Sequence, residues 1–335
     1  MKTTTSTLVK PGVLSTIGRT PLIRLDNLFA GSGLEVFAKL EAFNPGGSMK
    51  DRPALRMVQE ALAAGTLEPD SVIVESSSGN LAIGLAQVAC ALGLRLIVVV
   101  DPKITQANLK ILRAYGVQID TVNTPDPETG EYLSARRKRV SHLLASIPGA
   151  INLNQYANPD NPAAHRIGTA SEILDALENS VDVLLVSVST CGSLKGVRQA
   201  LRERSLSPQL LAVDAAGSVI FGQRGPRLLA GHGAGIMPEH MSDDLADEGV
   251  LVTDADCVAG CRALVRREAI LAGASSGGIV AAMARLRHRW APGTRVAAIF
   301  PDRGERYLDT VFDDAWCMRH FGGVPPLFEP TEQNS

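Results

Sequence analysis

Aromatic side chains are scarce in this 335-residue chain, at 4%, while 45% of it is hydrophobic. Its core must therefore be aliphatic, and the length allows a large one, most simply as two compact lobes. Excess charge of either sign is also missing. A formal net charge of −2 gives no electrostatic case for nucleic acid or an anionic membrane as partner. No apolar run approaches the roughly 20 residues that span a bilayer, and Met1 to Lys10 lacks the apolar core of a signal peptide, so the expected location is the cytoplasm. The five cysteines are an odd, scattered set. Cys257 and Cys261 stand at i, i+4, but no second Cys or His pair completes a zinc site, so no metal is expected and packed thiols are. Also missing are the Gly-Lys of a Walker loop and a dinucleotide fingerprint after the first strand, which removes the case for nucleoside triphosphates and NAD.

What is present is alternation. Strands are expected at Glu35 to Glu41, Ser71 to Glu75, Arg95 to Asp101, Val117 to Val122 and Ile151 to Leu153, with helices at about Pro53 to Ala64, Asn80 to Leu92, Gln106 to Tyr115 and Tyr132 to Ile147 between them. The second half continues with helix Pro162 to Leu177, strand Val181 to Val188, helix Leu194 to Arg204 and strand Leu210 to Asp214. After a Gly-rich loop, Gly217 to Glu239, come strand Val250 to Thr253, helices Ala255 to Ile270 and Gly277 to His288, and strand Arg295 to Phe300. Apolar β-branched runs separated by helical patterns predict an α/β protein, each lobe a twisted, mostly parallel sheet flanked by helices, with ligands at the carboxyl ends of the strands. The expected division is a larger domain of 1–45 and 155–325, a smaller one of 46–154, and a loose tail, 326–335.

The motifs fall at strand ends. Asn44-Pro45-Gly46-Gly47-Ser48-Met49-Lys50-Asp51-Arg52-Pro53 carries Lys50 from a Gly-Gly turn into a helix, where a lysine shielded from water can attack a carbonyl and form a Schiff base; the plain alternative is a solvated surface charge. Glu75-Ser76-Ser77-Ser78-Gly79-Asn80 opens a helix with three hydroxyls and suits a carboxylate, where an ordinary cap would need one serine. Ser187-Val188-Ser189-Thr190-Cys191-Gly192-Ser193 is a hydroxyl-and-glycine nest of a size for one phosphate monoester. Ala272-Gly273-Ala274-Ser275-Ser276-Gly277 offers a helix cap or, beside a phosphate nest and a Schiff-base lysine, a hydroxyl for a pyridine nitrogen. A hydroxyl there makes the ring a weaker electron sink than a carboxylate would, which favours elimination and replacement at Cβ.

Together with Gln155-Tyr156-Ala157-Asn158-Pro159, Gly231-His232-Gly233-Ala234-Gly235 and Pro301-Asp302-Arg303-Gly304-Glu305-Arg306-Tyr307-Leu308, these motifs resemble, in order from about Ser15 to Trp316, the fold-type II pyridoxal-phosphate enzymes of the cysteine synthase and cystathionine β-synthase group. The resemblance implies a two-lobed fold with pyridoxal 5′-phosphate in the cleft and a homodimer acting on small amino acids. It makes Lys50 the Schiff-base lysine and general base. Asn80 would bond the ring hydroxyl, Ser189, Thr190, Cys191, Gly192 and Ser193 would hold the phosphate, and Ser275 would face the pyridine nitrogen. Ser77, Ser78 and Gln155 would hold the substrate α-carboxylate.

The chain departs from cysteine synthases at Leu81, which replaces a threonine of the asparagine loop, and at Ser189 and Cys191, which replace glycines of the phosphate loop. These features, with Val100 to Lys103 and Asp214 to Gly222, resemble a branch of the group that joins O-phospho-L-serine to L-glutamate through an α-aminoacrylate and releases phosphate, for siderophore or 2,3-diaminopropionate synthesis. Its incoming glutamate needs a cation. In the helix from Tyr132, Leu133, Val140, Leu143, Leu144 and Ile147 define an apolar face with Arg136 near its centre. Arg137 and Arg139 flank that face and Lys138 points away from it. A buried arginine must find an anion, either a structural Asp or Glu or a substrate carboxylate, and the resemblance favours the substrate. Tyr156 and Ser189 are the next candidates. The rival activities are a cysteine synthase using sulfide, and a non-catalytic binding or regulatory protein on the same fold.

Overall fold

The computed structural model describes residues 10–327; the expectations for 1–9 and for 328–335 of the tail lie outside them. The chain forms two compact units, Met1–Thr20 with Phe43–Leu153, and Pro21–Ala42 with Asn154–Ser335. Sequence placed residues 10–20 with the larger unit, but they group with the smaller. The Gly18 N–H donates to buried Asn44 Oδ1 (2.8 Å), and Arg52 Nη2 donates to Thr20 Oγ1 (3.2 Å). Leu14 packs on the smaller unit's core.

Strands β1 (Leu22–Arg24) and β2 (Glu35–Leu40) belong to the larger unit. The smaller unit follows as α1 (Asp51–Ala63), β3 (Val72–Ser76), α2 (Asn80–Leu92), β4 (Arg95–Val100), α3 (Gln106–Ala114), β5 (Gln118–Thr121), α4 (Tyr132–Ser146) and β6 (Ala150–Ile151). Its sheet runs β5-β4-β3-β6, with every pair parallel. Strands β3 and β4 are buried along almost their whole length, as a parallel strand covered on both faces must be. Ile73 and Val98 face a core built with Leu85, Val88 and Leu112, while Val74 and Val99 meet Val140 and Leu143 of α4. That is the apolar face predicted for α4.

The larger unit resumes with α5 (Asp160–Ala164), a π-helical turn His165–Ala170, and α6 (Ser171–Ala176), where one continuous helix was expected. Then come β7 (Val183–Ser187), α7 (Gly192–Glu203), β8 (Gln209–Ala215), β9 (Glu248–Val252), α8 (Asp254–Glu268), α9 (Ala274–Leu286), β10 (Arg295–Phe300) and α10 (Asp314–Phe321). Helix α10 has no counterpart among the elements expected from sequence. Its sheet is β1-β2-β10-β7-β8-β9; only the β1–β2 pair is antiparallel. Cys257 and Cys261 are buried core thiols on α8. Helices α8 and α9 touch backbone to backbone: a Cβ built on Gly260 would stand 2.0 Å from the Gly277 carbonyl oxygen.

The loop after β8 is held by side chains. Buried Asp214 accepts the N–H groups of Ala215 and Phe221, Ser218 Oγ accepts from Ala234, and the Gly233 N–H donates to Val188. His232 is buried, with Nε2 3.1 Å from the Val213 carbonyl and Nδ1 3.7 Å from Cys257 Sγ. A carbonyl demands a donor, so Nε2 carries the proton and Nδ1 accepts from the thiol. Burial lowers the His232 pKa and keeps the ring neutral.

Gly260→Ala is expected to destabilise the larger unit by about 1–3 kcal/mol or more, because backbone cannot swing aside as a side chain can; the loss is read from denaturant unfolding. His232 gives a pH signature. The unfolded ring takes up a proton near pH 6.5 while the folded ring resists, so the stability it contributes is complete above about pH 6.5 and is lost as the pH falls below that. The thermal midpoint is therefore expected to drop more between about pH 7.5 and pH 5.5 in the native protein than in His232→Gln.

Candidate active site

In the smaller unit the site begins with Lys50, the residue that caps α1. Its backbone N–H donates to Ser48 Oγ (3.2 Å), its carbonyl accepts from Ala54, and its side chain is half-buried. The turn before it is pinned by Asp51, a fully buried carboxylate that accepts the Gly46 N–H. Gly46 has no room for a side chain, since a Cβ would stand 2.5 Å from Asp51 Oδ1. Helix α2 lies against the same turn. At Gly84, one helical turn after Asn80, a Cβ would come 3.1 Å from the Lys50 carbonyl oxygen and 3.3 Å from Asp51 Cα. A glycine there lets the head of α1 approach α2, and the lysine and asparagine motifs share one corner.

That corner sits at the carboxyl end of β3, where the Ser77–Asn80 loop starts α2. Ser77 is buried, and its Oγ accepts from the Gly79 (3.4 Å) and Ala82 (3.3 Å) N–H groups, leaving its own proton to donate. The carbonyl of Ser78 accepts from Asn108 Nδ2 at 3.0 Å. Asp101 directly follows the neighbouring strand β4, and here Arg136 has its anion: Nε lies 3.1 Å from Asp101 Oδ2, with the two side chains 11% and 5% exposed. Of the two outcomes the sequence left open, a structural carboxylate is present. Lys138 points outward to Asp126 and Glu128, and Arg139 Nη2 pairs with Asp120 at 2.7 Å.

In the larger unit the phosphate-type nest follows β7. Cys191 is buried at φ +61°, a left-handed conformation that a side chain occupies at a cost of about 1–3 kcal/mol. It turns the chain so that α7 begins at Gly192. The buried Asn161 side chain lies flat on Gly192, where a Cβ would be 2.5 Å from Asn161 Oδ1. Asn161 Nδ2 donates to the Gln155 carbonyl (2.7 Å), which also receives His240 Nε2 (3.1 Å). Gln155 is thereby fixed beside the nest, and half-buried Tyr156 follows it. Ser275 opens α9. The preceding turn is clamped by Asp302, whose carbonyl accepts the Gly273 N–H (3.0 Å) and whose Oδ2 accepts from Tyr307 (2.9 Å). Asp302 follows β10, the parallel neighbour of β7. Ser189 to Ser193 and Ser275 therefore stand at the same edge of one sheet.

The helices differ in how they begin. Thr105, Thr253 and Asp313 cap α3, α8 and α10 through their side chains, whereas the cap residues of α1, α2, α7 and α9, at motif positions, and of α4, α5 and α6, elsewhere, give no such bond. First-turn N–H groups at strand ends can receive an anion; the α7 nest has the Thr190 and Ser193 hydroxyls beside it, Thr190 Oγ1 3.5 Å from the Gly192 nitrogen, and its donor set fits a phosphate monoester. Sequence reasoning missed Asn108, Asn161 and Gly84. Only their distance from the motifs hid the first two, since a polar residue at a helix start reads as a cap.

The family model of the pyridoxal-phosphate dependent enzymes matches residues 13–302. The chain is 48% identical over 313 residues to N-(2-amino-2-carboxyethyl)-L-glutamate synthase of Ralstonia nicotianae, covering 93% of this chain and 92% of that one. It is 47% identical over 316 residues to the protein of the same name from Cupriavidus metallidurans, again covering 93% and 92%. Among solved structures, an O-ureido-L-serine synthase superposes with a TM-score of 0.84 at 34% identity, over 92% of this chain and 99% of that one. With a lysine at a sheltered helix head, a phosphate nest and this likeness along nearly its whole length, the chain belongs to the pyridoxal-phosphate dependent enzymes.

Proposed function

We propose that this protein is a β-replacement synthase that joins O-phospho-L-serine and L-glutamate into N-(2-amino-2-carboxyethyl)-L-glutamate and releases phosphate, as a step towards a siderophore or 2,3-diaminopropionate. The observation that carries this reading is the 48% identity, over 93% of the chain, to a synthase of that name. The replacement of loop glycines by Ser189 and Cys191 supports it against a cysteine synthase, because both side chains take space in the phosphate loop.

Bound pyridoxal phosphate supplies an electrophilic carbon for the substrate amine and a π-system that stabilises negative charge at Cα. The residues proposed to hold it are Lys50, Asn80, Ser189, Thr190, Cys191, Gly192, Ser193 and Ser275. Ser77, Ser78 and Gln155 would bind the α-carboxylate of phosphoserine and so orient its Cα–H bond. Lys50 Nζ takes that proton, phosphate leaves from Cβ with the C–O electron pair, and the deprotonated glutamate amine forms the new Cβ–N bond. Lys50 then returns its proton to Cα, so one base serves both transfers. For glutamate the assignments are Arg136, Tyr156 and Ser189. At Arg136 a substrate carboxylate has to compete with Asp101, which already neutralises the guanidinium.

The purified protein is expected to be yellow, and Lys50→Ala to lose that colour and at least about 10²-fold in turnover. A colourless native protein that stays inactive after cofactor is added would refute the assignment. Phosphate release should be rapid with phosphoserine plus glutamate and slow with phosphoserine plus sulfide; the reverse order makes the protein a cysteine synthase. Arg136→Ala is expected to raise the glutamate KM about tenfold or more while phosphoserine KM holds, as loss of a charged hydrogen bond would. A stability loss with an unchanged glutamate KM would confine Arg136 to its pairing with Asp101.

A further inference from the structure

Asn108 belongs to no motif, yet it reaches across 30 residues to the loop proposed to bind the substrate carboxylate. It is the third residue of α3, is 8% exposed, and places Nδ2 3.0 Å from the Ser78 carbonyl oxygen. Its orientation is fixed by chemistry, since a carbonyl accepts and only the amide NH2 can donate to it. Asn108 Oδ1 is buried with no hydrogen-bond partner among the described residues, so the side chain is spent on this one bond.

The consequence follows from the planarity of the peptide group. The Ser78 carbonyl and the Gly79 N–H belong to one trans peptide and point in opposite directions. Holding the carbonyl from the α3 side directs the Gly79 N–H towards Ser77 Oγ, which accepts it at 3.4 Å while also accepting from Ala82. With its lone pairs so engaged, the Ser77 hydroxyl is left to donate its proton. Gly79, the residue before α2, lacks a Cβ to restrict that plane, so without the bond the peptide could turn.

Asn108 is itself held firmly. Thr105 Oγ1 accepts its backbone N–H (3.2 Å), and Asp101 fixes the turn before Thr105 by accepting the Lys103 N–H on Oδ1 (2.8 Å) and pairing with Arg136 on Oδ2. The Lys103 ammonium lies 5.4 Å from the centre of the Tyr132 ring. Two residues of α4 thus brace the turn from which Asn108 reaches Ser78.

We propose that Asn108 is a positioning residue for the first substrate: its amide locks the Ser78–Gly79 peptide so that Ser77 and the head of α2 present donors to the carboxylate of the amino-acid substrate. The proposal rests on the reading of Ser77 to Asn80 as the carboxylate loop.

The test compares Asn108→Ala, Asn108→Asp and Ser77→Ala as holoenzymes. Asn108→Ala is expected to raise the phosphoserine KM about tenfold, the effect of leaving one buried carbonyl unpaired, while kcat changes less than about twofold and cofactor absorbance is unchanged. Asn108→Asp keeps the size of the side chain but sets an acceptor against an acceptor. Its phosphoserine KM relative to the native enzyme should be raised at least as much near neutral pH, and should recover as acid protonates the carboxyl. If Asp at position 108 behaves like the native residue at every pH, the role is packing and the proposal fails. If Ser77→Ala raises the KM and neither Asn108 variant does, the proposal fails while the carboxylate loop stands. If none of the three variants changes the KM, the carboxylate loop itself is refuted.

Discussion

Helix starts at the carboxyl ends of parallel strands are the constraint on which the proposed site depends. A helix leaves its first N–H groups without partners, and an α/β fold places those groups at the carboxyl ends of its strands. At α3, α8 and α10 the chain closes them with Thr105, Thr253 and Asp313. At the motif positions proposed to hold cofactor and substrate, the cap residues Gly79, Cys191 and Gly273 contribute no side-chain bond. Neighbouring side chains take part of their place: Ser77 Oγ accepts from Ala82 and Thr190 Oγ1 from Gly192.

These turns are also held by close packing behind them. Gly84 lets the Lys50 turn rest on α2, Gly192 lets Asn161 lie under the hydroxyl-and-glycine nest, and Gly273 leaves room for the Asp302 carboxylate. A Cβ would collide with the positioning group at Gly192 and Gly273, and would crowd it at Gly84. These glycines are required for contact more than for backbone freedom, and an alanine at any of them would move a loop without touching a ligand.

Much of this was legible in the sequence. The buried parallel strands read as continuous apolar runs, so β2, β3, β4, β7 and β10 were placed to within about two residues, and the motifs followed at their ends. The apolar face of α4 was correct down to Val140 and Leu143. What escaped was set by contact between distant parts of the chain. The affiliation of residues 10–20 with the smaller unit depends on hydrogen bonds to Asn44 and Arg52, which no local pattern announces. The π-turn at His165–Ala170 lies where α7 presses closest, a Cβ on Gly196 standing 2.4 Å from the Pro162 carbonyl oxygen.

Arg136 shows where local reasoning reaches its limit. Helical spacing established that a guanidinium enters an apolar face and must be neutralised, and that much holds. Which anion does so is a three-dimensional matter, and Asp101, 35 positions earlier at the end of β4, is the one present. The pair also has a second role that spacing could not suggest. Asp101 shapes the turn that carries Thr105 and Asn108, so a charge on α4 is linked through four short contacts to the Ser78 carbonyl. Any anion that drew Arg136 away from Asp101 would loosen the support of the loop at the head of α2. A site for a second substrate at Arg136 would then be coupled to the first, with the coupling running through Asp101.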